Sequence, residues 1–169
     1  MRVPVDRFVR TRSMRRVWSR NADVRVTPGE LTATNERFAL FRLYLDAQHD
    51  GTMARTFDTF RDFLYDSPAE TTEFCYRLGE RLVGVSIVDA CSDGLSSVYM
   101  YFDPDYGERS LGVFSVLWEI EHCRRHGLSY YYLGYYVAGS KTMDYKSRFR
   151  PNEVLSVQPP KGGWAPFRE

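Results

Sequence analysis

Residues 93–137 read DGLSSVYMYFDPDYGERSLGVFSVLWEIEHCRRHGLSYYYLGYYV. Leu95–Phe102 is aromatic-rich and follows a Ser92-Asp93-Gly94 turn, so it reads as a strand. From near Arg109 to His126 the period changes. Phe114, Leu117, Trp118 and Glu121 recur at intervals that trace one helical stripe, and Gly127 supplies the left-handed residue that ends a helix. Tyr130–Val137 returns to a strand pattern.

Working outward, Thr72–Leu78 and Leu82–Ala90 flank Gly79-Glu80, a two-residue hairpin signal. Two helices precede them. Thr34 or Asn35 caps the first, which runs to about Ala47 with Phe38, Phe41 and Leu45 on one face and stops at His49-Asp50-Gly51. The second spans Thr56–Tyr65, turns Phe57, Phe60 and Leu64 inward, and stops at Ser67-Pro68. Asp23–Thr27 is a short strand before a Pro28-Gly29 turn. After Val137 a loop or short helix is expected around Lys141–Lys146.

The element order is β-α-α-β-β-β-α-β. It predicts an α/β (α+β) class with the N-acetyltransferase-like (GNAT) fold: a mixed, mostly antiparallel central sheet flanked by helices. In that fold the strand before Asp103 and the strand from Tyr130 splay apart. A cleft opens there at the N-terminus of the Arg109 helix, where free backbone N–H groups attract phosphate or carboxylate. Three segments are expected: a basic N-terminal arm at 1–21, one transferase-sized domain at 22–157, and a Pro/Gly-rich, flexible tail at 158–169.

With 169 residues, 43% of them hydrophobic, the chain is long enough to bury one substantial core. It has no run of 18 apolar residues, which argues against a membrane span, and the N-terminus MRVPVDRFVR lacks the apolar region of a signal peptide. Cys75, Cys91 and Cys123 are odd in number and form no CxxC pair, so a zinc site or disulfide framework is not expected and a reducing, cytoplasmic setting is. The net charge of +1 hides an asymmetry. Residues 1–25 hold eight arginines against two aspartates, whereas the remainder holds 15 basic and 20 acidic residues. A basic arm on a mildly acidic body implies a localised anionic partner, and arginine's planar fork suits phosphate.

Three constellations carry chemistry. Phe102-Asp103-Pro104 followed by Arg109-Ser110-Leu111-Gly112 places a cation and a hydroxyl at a helix start. It reads either as an oxyanion or phosphate holder or as an ordinary cap by Ser110. Tyr145-Lys146 with Arg148 and Arg150 puts three cations beside an aromatic strand, fit for an acidic side chain or a nucleic-acid phosphate. Arg12, Arg16 and Arg20, with Arg15 between, recur every four residues and would align on one helical face as a phosphate-tracking stripe. His122 and His126 stand at i and i+4, but no further ligands accompany them, so no metal is expected.

Five pieces of the chain taken together resemble one family: RSMRRVWSRNADVRV (12–26), YLDAQHDGTM (44–53), DGLSSVYMYFDPD (93–105), RSLGVFSVLWEIE (109–121) and YLGYYVAGSKTMDYKSRFRP (132–151). In order and nearly end to end, they are similar to the C-terminal domain of the aminoacyl-tRNA–protein transferases, the leucyl- and arginyltransferases that tag N-terminal acidic residues. The basic arm is nearer the bacterial leucyl branch. Family members usually carry a preceding cysteine-rich domain associated with an iron–sulfur cluster or zinc. This chain starts where that domain would end, so a truncated form or fragment is expected, with no cofactor of its own.

The resemblance implies an aminoacyl-tRNA co-substrate and acceptor proteins that begin with Asp or Glu. It implies an N-degron tagging step, carried out by a cytoplasmic monomer with no membrane partner. Lys146, Arg148 and Arg150 would neutralise the acceptor's acidic side chain. Arg109 and Ser110 would hold the oxyanion or terminal ribose-phosphate. Tyr99, Tyr135 and Tyr145 would line the cleft against the terminal adenine, Asp103 would take the amine's proton, and Arg12, Arg15, Arg16 and Arg20 would contact the acceptor stem. The rival readings are a coenzyme A-dependent N-acetyltransferase, whose pyrophosphate loop should be richer in glycine, and a non-catalytic tRNA-binding remnant.

Overall fold

The structure, a computed structural model, describes residues 1–48, 56–140, 142–156 and 162–168. Its strands are β1 (Arg2–Pro4), β2 (Val24–Gly29), β3 (Thr71–Leu78), β4 (Arg81–Cys91), β5 (Gly94–Phe102), β6 (Tyr130–Tyr132), β7 (Glu153–Ser156) and β8 (Gly163–Pro166). Its α-helices are α1 (Arg12–Arg20), α2 (Asn35–Gln48), α3 (Phe57–Leu64) and α4 (Leu111–Arg125). The strands form one sheet in the order β2-β3-β4-β5-β6-β1-β7-β8. Every pairing is antiparallel except that of β5 with β6.

Alternation along the strands sends side chains to two helical layers. Phe74, Tyr76 and Val83 face α4, where they meet Leu111, Phe114, Leu117 and Ile120. Cys75, Val85, Ile87 and Tyr101 face the other way, onto Leu40, Phe41 and Leu45 of α2 and Phe60 and Leu64 of α3. Each fully buried large apolar side chain contributes about 1.5–3 kcal/mol, so this two-sided core holds the sheet whose middle opens at β5. The mixed, mostly antiparallel sheet flanked by helices is the expected fold.

The central elements match their sequence signals closely. Thr34 Oγ1 accepts from the Arg37 N–H at 3.3 Å, and Thr56 with Thr59 forms a capping box on α3. Gly79 takes φ 56° in the β3–β4 turn, where a Cβ would be strained. The proposed stop of α2 at His49-Asp50-Gly51 lies outside the described residues.

Four expectations are corrected. The basic arm is no appendage: β1 is an interior strand between β6 and β7, and α1 packs on α4 through Met14 and Trp18. Pro28-Gly29 does not turn but finishes β2, opposite Phe74 and Glu73; β2 is an edge strand, where proline removes no ladder bond from a neighbour. The strand from Tyr130 ends at Tyr132, and Tyr135 beyond it is 88% exposed. In the tail, Gly163–Pro166 pairs with β7 and the Phe167 N–H bonds the Asn152 carbonyl.

Candidate active site

The parallel pairing of β5 and β6 has three partner positions and ends at Ser96↔Tyr132. β5 continues to Phe102, whereas the other chain leaves at Leu133, whose N–H bonds the Met1 carbonyl, and at Gly134 with φ 80°. A splay therefore opens between residues 97–102 and 133–137. The side chain of Lys146 reaches its apex. Nζ donates to the Tyr135 carbonyl at 2.8 Å, and a Cβ added to Gly134 would stand 3.7 Å from Nζ and 3.9 Å from the Ser97 carbonyl. Burial lowers the Lys146 pKa from its ordinary value.

Lys146 sits in a 3-10 turn, Asp144–Arg148, which is anchored below. Phe149 is buried, and buried Asn152 donates to the Ser147 and Phe149 carbonyls. Tyr145 in the same turn is packed against the α4-side core. Its pKa is raised mainly by burial, with smaller contributions from nearby Tyr44 and Glu119. Tyr44, projecting from α2, lies 5.2 Å from the Phe102 ring and 6.3 Å from that of Tyr99. Three elements thus wall the splay with aromatic rings. Tyr44 was not singled out as a site residue, yet its spacing of three from Phe41 was a usable signal.

Other anticipated residues have structural partners. Tyr99 packs against Phe41, Tyr44 and Phe63, and burial pushes its pKa up to about 12. Asp103 is buried with both oxygens engaged: Oδ2 accepts from Arg81 at 2.7 Å and Oδ1 from the Asp105 N–H at 3.0 Å. It caps the 3-10 turn Pro104–Arg109. Arg109 grips Asp23 with two bonds of 2.7 and 3.1 Å, and its Nη1 also donates to the Arg20 carbonyl. That hydrogen-bonded pair raises the Arg109 pKa and ties α1, β2 and the start of α4 together.

Ser110 precedes α4 in the left-handed conformation, φ 54°, and its side chain makes no capping bond. That is an uncommon conformation for a residue with a Cβ. Of the remaining cations, Arg148 is exposed and has no ion-pair partner among the described residues. Exposed Arg150 donates to the Ser147 carbonyl and, with Arg7, borders a surface cavity of about 510 Å³. Arg12, Arg15, Arg16 and Arg20 are all exposed on α1, with Arg15 bonded to the Arg10 carbonyl and Arg20 to that of Glu108. His122 and His126 stack with ring centroids 4.0 Å apart, next to Trp118.

A sheet that splays beside a crossover helix defines the acyltransferase class of fold, and solved structures agree. The chain superimposes on the C-terminal domain of a putative lysylphosphatidylglycerol synthetase from Agrobacterium fabrum with TM-score 0.60 and 15% identity, covering 88% of this chain and 50% of that one. It superimposes on the ribosomal-protein-S18-alanine N-acetyltransferase from Escherichia coli with TM-score 0.53 and 16% identity, covering 77% and 79%. At such identities the likeness shows the fold alone.

Sequence comparison goes further. The family model for the arginine-tRNA-protein transferase C terminus matches residues 36–156. The chain is 39% identical over 157 residues to the aspartate/glutamate leucyltransferase of Hahella chejuensis, covering 92% of this chain and 67% of that protein. It is 43% identical over 170 residues to the enzyme of that name from Gluconacetobacter diazotrophicus, covering 99% and 64%. The chain belongs to the aminoacyl-tRNA–protein transferase family and spans about two thirds of the length of these relatives.

Proposed function

We propose that the chain transfers leucine from charged tRNA to the α-amine of proteins that begin with Asp or Glu, marking them for degradation. The observation that carries this reading is the half-buried Lys146 ammonium at the apex of the splay, in a family whose relatives are named for aspartate and glutamate. The acceptor's carboxylate approaches Lys146, with Arg148 at the rim. The aminoacyl ester and terminal adenosine lie along Tyr44, Tyr145 and the N-terminus of α4 next to Ser110. The exposed arginines of α1 meet the acceptor stem.

The ester is already activated, so the chain's main task is to juxtapose two ends. The amine nitrogen bonds to the ester carbonyl carbon, the carbon–oxygen bond breaks, and the ribose oxygen leaves with a proton. The reaction calls for no cofactor. It takes place in the cytoplasm, where charged tRNA is found, and the chain acts as a monomer. Asp103 and Arg109, held by Arg81 and Asp23, support the site rather than react in it.

The test is a matrix of labelled Leu-tRNA or Arg-tRNA against peptides beginning Asp, Glu, Lys or Ala, with acetyl-CoA as a further donor. Leucine should join the Asp and Glu peptides only. Transfer from arginine alone would overturn the leucine assignment, transfer from acetyl-CoA would restore the acetyltransferase reading, and tRNA binding without any transfer would leave a binding module.

A further inference from the structure

One buried polar side chain next to the site has no part in the proposed reaction. Asn21, which closes the C-terminal end of α1, is 1% exposed. Its Nδ2 donates to the Val17 carbonyl and to the Arg109 carbonyl, both at 2.9 Å. Carbonyls only accept, so it is the amide nitrogen that faces them. Its Oδ1 is buried and has no hydrogen-bond partner among the described residues. A buried oxygen without a partner costs stability, so closing α1 does not by itself explain an asparagine at this position. What the residue adds is a donor for a carbonyl 88 positions further along the chain.

That carbonyl precedes Ser110, which apart from glycines is the only described residue with a positive φ. Two peptide planes set the conformation of Ser110, and both are pinned. In the plane before it, the Arg109 carbonyl accepts from Asn21 and the Ser110 N–H donates to the Gly107 carbonyl at 3.1 Å. In the plane after it, the Ser110 carbonyl accepts from the N–H groups of Val113 and Phe114, each at 3.0 Å. A residue that caps a helix start ordinarily has extended backbone, which lets its side chain accept from the first turn. At φ 54° and ψ 49° the Ser110 side chain makes no such bond. The turn that follows lies against a wall of the splay. A Cβ added to Gly112 would stand 3.5 Å from a Phe102 ring carbon, and the Phe102 ring is the one 5.2 Å from Tyr44. We propose that Asn21 is a positioning residue: it holds Ser110 in the left-handed conformation and so keeps the Ser110 hydroxyl and the first turn of α4 free for the aminoacyl end of the tRNA.

This role rests on the transferase reading above. Left-handed backbone is unfavourable for a residue with a Cβ and persists where its surroundings enforce it. Without the Asn21 amide the peptide before Ser110 turns, Ser110 relaxes to extended backbone, and its hydroxyl accepts from the first turn of α4 as an ordinary cap does. The cap then occupies the donors that would meet the oxyanion developing on the ester. Asn21 acts through Ser110 and does not touch the substrate. The same amide joins the end of α1 to the start of α4, beside the bonds from Arg109 to Asp23 and to the Arg20 carbonyl. RNA seated on the α1 arginines is thereby held in a fixed relation to the reacting ester.

Two measurements test this role. In the first, kcat and the KM for Leu-tRNA are measured for transfer to an Asp-initiated peptide, with and without Asn21→Ala, in the native chain and in a Ser110→Gly background. Asn21→Ala should lower kcat about tenfold or more and leave KM within about twofold, because the α1 arginines that carry the RNA remain. Glycine takes a positive φ without help and has no hydroxyl to cap with, so in the Ser110→Gly background Asn21→Ala should lower kcat by less than about twofold. An unchanged kcat, a rise in KM that matches the fall in kcat, or an equal loss in both backgrounds would overturn the role. In the second, NMR of the isotope-labelled chain reads the Ser110 backbone from its three-bond HN–Hα coupling and its Cα and Cβ shifts. The native chain should show left-handed values and Asn21→Ala extended ones; left-handed values in the folded variant would overturn the role. Asn21→Ser has a single proton to donate and cannot serve both carbonyls, so it carries both measurements should Asn21→Ala fail to fold. The NMR readout needs no turnover: if the native chain transfers nothing, the transferase reading fails while the hold of Asn21 on Ser110 is still decided.

Discussion

Arg37 and Glu73 show how a single ion pair is fixed by burial. Glu73 is fully buried and Arg37, from α2, is the charge that faces it, while Cys75 and Tyr65 surround the same carboxylate. The second oxygen of Glu73 accepts no hydrogen bond among the described residues. Removing the cation strands a carboxylate in the core, so Arg37→Met should cost about 3–5 kcal/mol, read as a lower urea midpoint. Replacing both residues, Arg37→Met with Glu73→Leu, should recover most of it; no recovery would mean that the arginine's packing, not its charge, is what matters. At this scale the sequence was partly legible. Lys146 stood out because cations cluster beside an aromatic segment. Asp103 and Arg109 were chosen by position, but their partners Arg81 and Asp23 are 22 and 86 residues away, and no local pattern reveals them. The helical stripe was drawn through Glu121, which once folded pairs with Arg10, Arg124 and Arg125 near the surface; the buried carboxyl of α4 is Glu119.

Elements were legible where their own residues set the period. α2, α3, α4 and the β3–β4 hairpin carry caps, turn glycines and regular apolar spacing, and they form within a few residues of the expected limits. β1 and β8 were not legible, since three or four residues hold too little alternation and long-range pairing makes the strand. β1 is kept in place partly by Arg2, whose guanidinium lies 3.6 Å from the Tyr130 ring centroid and 4.2 Å from that of Trp164. α1 combines both cases: its arginine stripe was visible, and its docking on α4 through Trp18 was not. With Met14 buried below, Arg12 and Arg16 are presented outward. Arg12→Glu with Arg16→Glu should weaken tRNA binding and reduce the slope of log affinity against log salt by about 0.7–0.9 for each phosphate that is no longer neutralised, measured by filter binding. An unchanged slope would remove α1 from the RNA interface. The fold should be unaffected, because neither side chain contributes to the core.

At the scale of the molecule, the order of elements revealed the fold because a splayed sheet needs two strands and the helix between them, and all three lie within residues 93–137. The apex was harder to see. It forms where β5, the residues after β6 and the Asp144–Arg148 turn converge, and it depends on Gly134 adopting φ 80° so that Lys146 can reach the Tyr135 carbonyl. The central claim is that this ammonium selects acidic protein ends. The direct measurement is the ratio of kcat/KM for leucine transfer to an Asp-initiated peptide over its Asn-initiated counterpart, in the native chain and in Lys146→Met. Removing a charge-assisted hydrogen bond worth about 1.4 kcal/mol or more should lower that ratio at least about tenfold. A folded, active Lys146→Met variant that keeps the native ratio would contradict the account.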